Sequence, residues 1–108
     1  MFKFDGVLLN CAQDTVFDTC GVEAVESCLD GFNATVLAYG QTGAGKTFTM
    51  TGGKDSYKHR GLIPRCITRV FQGLAERADL AGRVRISYCE IYNESFVDLL
   101  APTTPSGK

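Results

Sequence analysis

The residues best suited to chemistry in this sequence form one glycine-rich run, Gly40-Gln41-Thr42-Gly43-Ala44-Gly45-Lys46-Thr47. The run fits the phosphate-binding loop pattern of a glycine, any four residues and then Gly-Lys-Ser/Thr. Because Gly40, Gly43 and Gly45 lack a Cβ, the backbone can adopt left-handed dihedrals and point consecutive N–H groups at an anion. The pattern therefore predicts a site for the phosphates of a nucleotide.

Two side chains at the end of the run add what backbone amides cannot supply. Lys46 carries a full charge that can reach the β- and γ-phosphate oxygens, and Thr47 offers a hydroxyl oxygen to Mg²⁺. A helix beginning near Gly45 would also point the positive end of its macrodipole at the β-phosphate. The alternative is a glycine-rich surface turn that matches by chance, which is expected about once in a few hundred chains of this length.

Two elements in front of the loop must position it. The short apolar run from Thr35 to Tyr39 is typical of a buried strand that leads into such a loop. From about Gln13 to Asp30, apolar residues recur at steps of three and four, which predicts an amphipathic helix ending at Gly31. That face consists of Phe17, Cys20, Ala24, Val25, Cys28 and Leu29. The order of helix, strand and loop indicates an α/β fold.

The stretch behind the loop predicts an exposed segment and a second helix. Gly52-Gly53 opens a polar run to Gly61 without apolar periodicity, which predicts an exposed loop beside the phosphate site. Pro64 suits the first position of a helix. The apolar stripe of that helix is Ile63, Ile67, Val70, Phe71, Leu74 and Ala75.

Strands are predicted at both ends of the chain. The alternation from Phe2 to Val7 suggests a short strand. Residues 83–92 also alternate, with Val84, Ile86 and Tyr88 on one face. Asn93-Glu94-Ser95 interrupts the run, and residues 96–100 resume it.

Composition narrows the class of protein. With 108 residues the chain is one domain at most, and its formal net charge of −1 gives no general attraction to nucleic acid. No apolar run approaches the roughly 20 residues that cross a bilayer, so membrane insertion is not expected.

The cysteines and the histidine predict no metal centre. The five cysteines are an odd number without a Cys-x-x-Cys pair, which argues against a disulfide framework and against a zinc site. They are interpreted as small buried hydrophobic residues in a reducing compartment. His59 is the only histidine, so a site with several histidines is excluded.

Several stretches together resemble the kinesin motor domain. They are Phe4-Asp5-Gly6-Val7, residues 31–39, the loop Gly40 to Thr47 followed by Phe48-Thr49-Met50, Arg60-Gly61-Leu62-Ile63-Pro64-Arg65, and Tyr88-Cys89-Glu90-Ile91-Tyr92-Asn93-Glu94. The phosphate loop alone is common to many NTPases. The Tyr-Gly-Gln-Thr that leads into it and the Glu-Ile-Tyr-Asn-Glu downstream are close to diagnostic, and the resemblance covers nearly the whole chain to Leu100.

The resemblance implies a partial motor domain. The expected fold is an α/β P-loop NTPase with an incomplete central sheet and flanking helices, over residues 1–100, followed by a flexible tail at 101–108. The expected cofactors are ATP or ADP and Mg²⁺. Gly40, Gln41, Thr42, Gly43, Ala44, Gly45, Lys46 and Thr47 would bind the phosphates, with Thr47 also at the metal. Tyr39 and Phe48, at the ends of the loop, would lie near the adenine, although residues of these types are more often part of a core.

The resemblance also implies partners and a location. The parent protein would be a microtubule motor ATPase that binds tubulin, with a coiled-coil dimer as one arrangement. It would lie in the cytoplasm on the microtubule cytoskeleton. Tyr57-Lys58-His59-Arg60-Gly61 and Tyr88-Cys89-Glu90 weakly resemble kinesins of cilia and flagella.

Kinesins carry switch I, switch II and their main microtubule-binding helices beyond the segment that matches this chain. No catalytic residue is therefore expected within these 108 residues, and turnover by the isolated chain is not expected. The first alternative is a nucleotide-binding or interaction module derived from a kinesin that does not hydrolyse ATP. The second is an unrelated small P-loop kinase, against which the Glu90 to Glu94 stretch argues.

Overall fold

The computed structural model describes residues 1–102. Its elements are α1 (Gln13–Val16), a π-helical turn (Phe17–Gly21), α2 (Val22–Leu29), α3 (Lys46–Met50), a 3-10 turn (Tyr57–His59), α4 (Leu62–Glu76), β1 (Cys89–Tyr92) and β2 (Ser95–Asp98). Both predicted helices are present. No helix in the described part of the chain is long and apolar enough to cross a bilayer.

The first predicted helix forms as one helical run with a widened turn in the middle. The π turn brings Gly21 so close to the Phe17 ring that a Cβ on Gly21 would lie 2.5 Å from Phe17 Cδ2 and 3.4 Å from Leu62 Cδ2. Because Gly21 has no side chain, the Phe17 ring and Leu62 of α4 can lie close to this turn. The run ends as predicted at Gly31, whose φ of 96° is left-handed.

The second predicted helix, α4, packs beside α2. Their contacts occur in the same order along both helices, with Arg69 Nε 2.7 Å from Glu26 Oε1 and Arg77 Nη2 2.7 Å from Asp30 Oδ1, so the helices run in the same direction. Pro64 is the third helical residue, because the N-cap is Gly61. The prediction of Pro64 as the first helical residue was wrong, but the position is still tolerated because first-turn N–H groups have no intrahelical partner.

The face of α4 that the structure buries differs from the predicted one. Leu62 and Gly73 are buried against the first helical run, whereas Ile63, Ile67, Phe71 and Ala75 of the predicted stripe are exposed. The stripe is real, since Val84 and Ile86 face it across a small apolar groove that Cys66, Ile67, Val70 and Phe71 also line. No regular element among residues 1–102 covers that groove.

Little apolar surface is buried overall. Val25 and Leu62 are the only buried hydrophobic residues in the described chain. The Cα radius of gyration is 16.9 Å, whereas a compact domain of this length has about 13 Å. The prediction of buried cysteines was therefore wrong, because Cys11, Cys20, Cys28 and Cys89 are exposed and Cys66 is half-buried.

The sheet consists of one antiparallel hairpin. β1 and β2 pair from Cys89 opposite Asp98 to Tyr92 opposite Ser95, and Leu99 N extends the pairing by donating to Tyr88 O at 2.9 Å. Asn93 and Glu94 make the two-residue turn with φ of 47° and 61°. The predicted interruption is therefore the turn of a hairpin at residues 93 and 94, and Ser95 already belongs to β2.

Three predicted strand segments are not paired strands. Residues 2–7, 35–39 and 83–88 lie outside both strands that the structure assigns. Residues 35–39 still alternate, with Val36 and Ala38 half-buried between exposed neighbours, as an extended segment does. The strand predictions failed because a strand needs hydrogen bonds from a neighbour, and among residues 1–102 only Tyr88 of these segments has one, from Leu99. Of the predicted tail, residues 103–108 lie outside the described part.

Candidate phosphate-binding site

The phosphate loop owes its shape to two of its glycines. Gly43 and Gly45 have φ of 83° and 94°, values that side chains other than glycine rarely adopt. Gly40 does not share this conformation, so that part of the prediction was wrong. Its lack of a Cβ matters for space instead, since a Cβ there would lie 3.1 Å from Ala44 Cβ.

The loop delivers free amides to the start of α3. Gly45 is the N-cap of α3, and Lys46 is its first residue, as the sequence predicts. Among residues 1–102, no backbone carbonyl accepts a hydrogen bond from the N–H groups of Gly43, Gly45, Lys46 or Thr47. Unpaired donors gathered in this way form a cradle for an anion.

The Lys46 side chain lies back across the loop. Its Nζ donates to Gln41 O at 2.9 Å and also to Gly40 O. These bonds hold the ammonium against the first two residues of the loop. To reach a phosphate it exchanges neutral carbonyl acceptors for a charged one, and a charged acceptor forms the stronger hydrogen bond.

A cleft of about 410 Å³ lies over the start of α3. The predicted residues Thr42, Gly43, Gly45, Lys46 and Thr47 line it, whereas Gly40, Gln41 and Ala44 do not. The lining fits a nucleotide phosphate because it offers one cation, free amides and no carboxylate. The residues also fit Mg²⁺ shared with phosphate oxygens, since the Thr47 hydroxyl is a hard oxygen ligand and no cluster of His, Cys, Asp or Glu within residues 1–102 forms a separate metal cage.

The two aromatic residues predicted near the adenine lie outside this cleft. Tyr39 is 96% exposed and Phe48 is 49% exposed. The Phe48 ring lies against His59, with ring centroids 6.1 Å apart. Their contact with a base stays a prediction.

The loop behind α3 is exposed, as predicted, but its ends are tied together. Gly52 pairs with Arg60 in a short bridge, Gly53 N donates to His59 O at 2.9 Å, and Gly61 N donates to Thr51 O at 3.1 Å. These residues form the loop base. The sequence showed the polar loop but not its closure, because the pairing joins residues far apart in the chain.

Sequence reasoning missed Gln13 as a site residue. It is 6% exposed and is the buried polar residue of the described chain. Its Nε2 donates to Phe48 O at 2.7 Å and to His59 O at 3.2 Å, so it joins the end of α3 to the loop base. No signal in the sequence distinguishes it from a solvated glutamine at a helix start.

The arginine side chains in and after the 52–61 loop contact other groups of the same chain. The Arg60 guanidinium carbon lies 3.4 Å from the centroid of the Tyr57 ring, and Arg65 Nε donates to Arg60 O at 2.9 Å. Arg69 donates hydrogen bonds to Glu76 and Glu26, and these bonds raise the pKa of Arg69 above its ordinary value. These positive charges therefore make contacts that order the loop and the helix pair.

The Cys66 thiol, in α4, ionises less readily than an ordinary cysteine. Burial raises the pKa of Cys66, and the neighbouring Cys28 raises it further. A thiolate is the reactive form of cysteine, so Cys66 is poorly suited to nucleophilic chemistry.

Comparison with known proteins supports the sequence resemblance. A family model described as the kinesin motor domain matches residues 1–108. The chain is 55% identical to kinesin-like protein KIF9 of Mus musculus over 100 residues. It is 56% identical to kinesin-like protein KLP1 of Chlamydomonas reinhardtii over 102 residues. The two matches cover 93% and 94% of this chain but only 13% of the length of each relative.

The structure resembles that of the Drosophila kinesin NOD. A crystal structure of NOD with divalent manganese and ADP matches with a TM-score of 0.72 and 33% identity, over 87% of this chain and 34% of that one. NOD docked with bovine tubulin into a map of its microtubule complex matches with a TM-score of 0.74. The fold is accordingly a partial α/β P-loop NTPase, and the chain belongs to the kinesin motor-domain family.

Proposed function

We propose that this chain is the ATP-binding segment of a microtubule-based motor whose full form couples ATP hydrolysis to movement along microtubules. The observation that carries the proposal is the cleft over the start of α3. Gly43, Gly45, Lys46 and Thr47 line this cleft together, and their backbone N–H groups have no backbone acceptor among residues 1–102. The NOD relative solved with ADP and manganese supports the choice of ligand.

Each residue has a separate task in this proposal. The amides of Gly43, Gly45 and Lys46 hold the phosphates, and the Lys46 side chain neutralises charge on their oxygens. Thr47 would supply one oxygen to Mg²⁺, and the ion would offset the charge of the phosphates. Gln41 O, 2.9 Å from Lys46 Nζ, is the acceptor that Lys46 uses when it does not contact a phosphate. Tyr39 and Phe48 are proposed to contact the base.

Binding without turnover is the second candidate, and the lining of the cleft favours it for this chain taken alone. Its residues are Thr42, Gly43, Gly45, Lys46 and Thr47, none of which is a carboxylate or histidine able to accept a proton from water. Binding substrate and transition state equally well does not accelerate a reaction. Hydrolysis is therefore assigned to the parent motor.

Microtubules are the proposed track, since the NOD relative is described as complexed to the microtubule. The proposed location is the microtubule cytoskeleton of the cytoplasm. A cilium or flagellum is the finer proposal, carried by the weak resemblance around Tyr57 and Tyr88. A coiled-coil dimer of the parent protein is proposed from the family alone.

The experiment is a calorimetric titration of the protein with Mg-ADP. Lys46→Ala removes a charge-assisted contact, so the affinity should fall roughly ten- to hundredfold. Lys54→Ala, which removes an exposed charge from the 52–61 loop, is the matched control and should change little. Equal affinity of the wild type and Lys46→Ala would remove the site assignment.

A further inference from the structure

The buried amide of Gln13 has an unusual position for a helix-start residue. Gln13 is the first residue of α1, yet its Nε2 bonds to carbonyls 35 and 46 residues away, on Phe48 and His59. The rings of Phe48 and His59 are also neighbours, with centroids 6.1 Å apart. One side chain therefore fastens three separate segments behind the phosphate loop.

The carbonyl of Phe48 needs this donor. It lies in the last turn of α3, where carbonyls have no partner from their own helix. Gly52 N, which would normally reach Phe48 O, donates instead to Thr47 O at 3.1 Å, and Thr51 N donates to the same oxygen at 2.8 Å. Among residues 1–102, the side-chain amide of Gln13 is the group that donates a hydrogen bond to Phe48 O.

The short α3 depends on contacts at its end. It has five residues, and a helix of that length is not stable on its own. Its first two residues, Lys46 and Thr47, carry the proposed phosphate and metal contacts. Loss of the bond to Phe48 O would fray the last turn, one residue beyond Thr47. The free energy needed to reorder that turn would make the free energy of nucleotide binding less favourable.

We propose that Gln13 is a positioning residue for the phosphate site: by bridging Phe48 O and His59 O it caps α3 from outside and keeps the loop preorganised for nucleotide. This inference rests on the proposed nucleotide-binding function. Gln13 touches no ligand and acts through α3. Because coupling between two sites is reciprocal, nucleotide in the cleft must in turn hold the Gln13 bridge closed.

The test replaces the side-chain amide of Gln13 with an apolar group of similar volume. Gln13→Met in the full-length protein should bind Mg-ADP about tenfold more weakly, which corresponds to about 1.4 kcal/mol. Gln72→Met, the same change at an exposed position of α4, is the control and should bind within about twofold of the wild type. The titration is run at a temperature at which circular dichroism shows each variant folded, so that loss of stability alone does not lower the affinity.

The outcomes separate this inference from the function on which it rests. If Lys46→Ala weakens binding and folded Gln13→Met does not, Gln13 has no positioning role and the site stands. If neither variant weakens binding, the phosphate site itself is wrong. If Gln13→Met does not fold, the wild type decides the question through the exchange of the Gln13 side-chain amide, followed by NMR after selective ¹⁵N labelling of glutamine. Mg-ADP should slow that exchange and leave Gln72 unchanged, and an unchanged rate at Gln13 overturns the proposal.

Discussion

Gly52 and His59 meet backbone to backbone at the loop base. Gly52 has a φ of 93°, and a Cβ at this position would overlap the carbonyl oxygen of His59. The next residue, Gly53, donates its N–H to that same oxygen at 2.9 Å. The 52–61 loop therefore closes directly behind α3 only because residue 52 has no side chain.

Gly52→Ala should open the loop base. A left-handed residue with a Cβ costs roughly 1–3 kcal/mol, and backbone atoms cannot rotate away from the overlap with His59. We expect local destabilisation of about 2 kcal/mol or more, which makes the Gly53 and Gly61 amides exchange at least about thirtyfold faster. Hydrogen exchange followed by mass spectrometry measures this.

Gly6→Ala is the matched control, because a Cβ there would meet nothing within 4 Å. It should leave the loop amides unchanged. Equal exchange in Gly52→Ala and the wild type would show that the loop base is not held by this close approach.

The features predicted well from the sequence are the local ones. The periodicity from Gln13 to Asp30 and the stripe of α4 predict helices, because helical hydrogen bonds join residues four apart. The glycines and Lys46 predict the phosphate loop for the same reason, since the whole cradle is built from residues 42–47. Even the helix start at Lys46 is specified within a few residues.

The features predicted poorly depend on distant neighbours. Residues 35–39 and 83–87 have strand-like sequences but no backbone hydrogen-bond partner among the described residues, and the exposure of Cys28 depends on what packs against α2. Gln13 was missed because, unlike these segments, it does have distant partners. Its burial comes from carbonyls 35 and 46 residues away, which its immediate sequence does not reveal.

Glu94→Gly should stabilise the β hairpin. Asn93 and Glu94 both have positive φ, and a two-residue turn of this kind favours Asn-Gly. Relief of the left-handed strain, less the greater flexibility of unfolded glycine, should contribute about 0.5–1 kcal/mol. The readout is slower hydrogen exchange of the Ser95 and Leu99 amides.

Glu90→Gly makes the same replacement within β1 and should have the opposite effect, because glycine weakens a strand interior. If both variants speed exchange, the turn is not strained at Glu94.

Thr47→Ala should alter the dependence on Mg²⁺ more than the binding of ADP itself. The hydroxyl is proposed to serve the metal, whereas the phosphates are held by amides and Lys46. The gain in ADP affinity on adding Mg²⁺ should shrink on the order of tenfold, and affinity in EDTA should stay near that of the wild type. Titrations with and without Mg²⁺ give both numbers.

Thr49→Ala is the control for this prediction, since Thr49 lies on the same helix but does not line the cleft. An equal loss of affinity with and without Mg²⁺ in Thr47→Ala would instead assign Thr47 to the phosphates.

The last prediction separates nucleotide binding from catalysis. The cleft gathers groups that hold phosphate, but none of its lining residues is a carboxylate or a histidine able to deprotonate an attacking water. The proposed function assigns those groups, and their connection to the track, to the switch regions that the kinesin resemblance implies for the parent motor. The 108-residue chain should therefore bind Mg-ATP and release little or no phosphate, with or without microtubules. A longer form extended through the switches should release phosphate faster when microtubules are added. Phosphate release from both forms, each with Lys46→Ala as its blank, measures this. Microtubule-stimulated release from the short form would place the catalytic groups within residues 1–108 and overturn the assignment of hydrolysis to the parent motor.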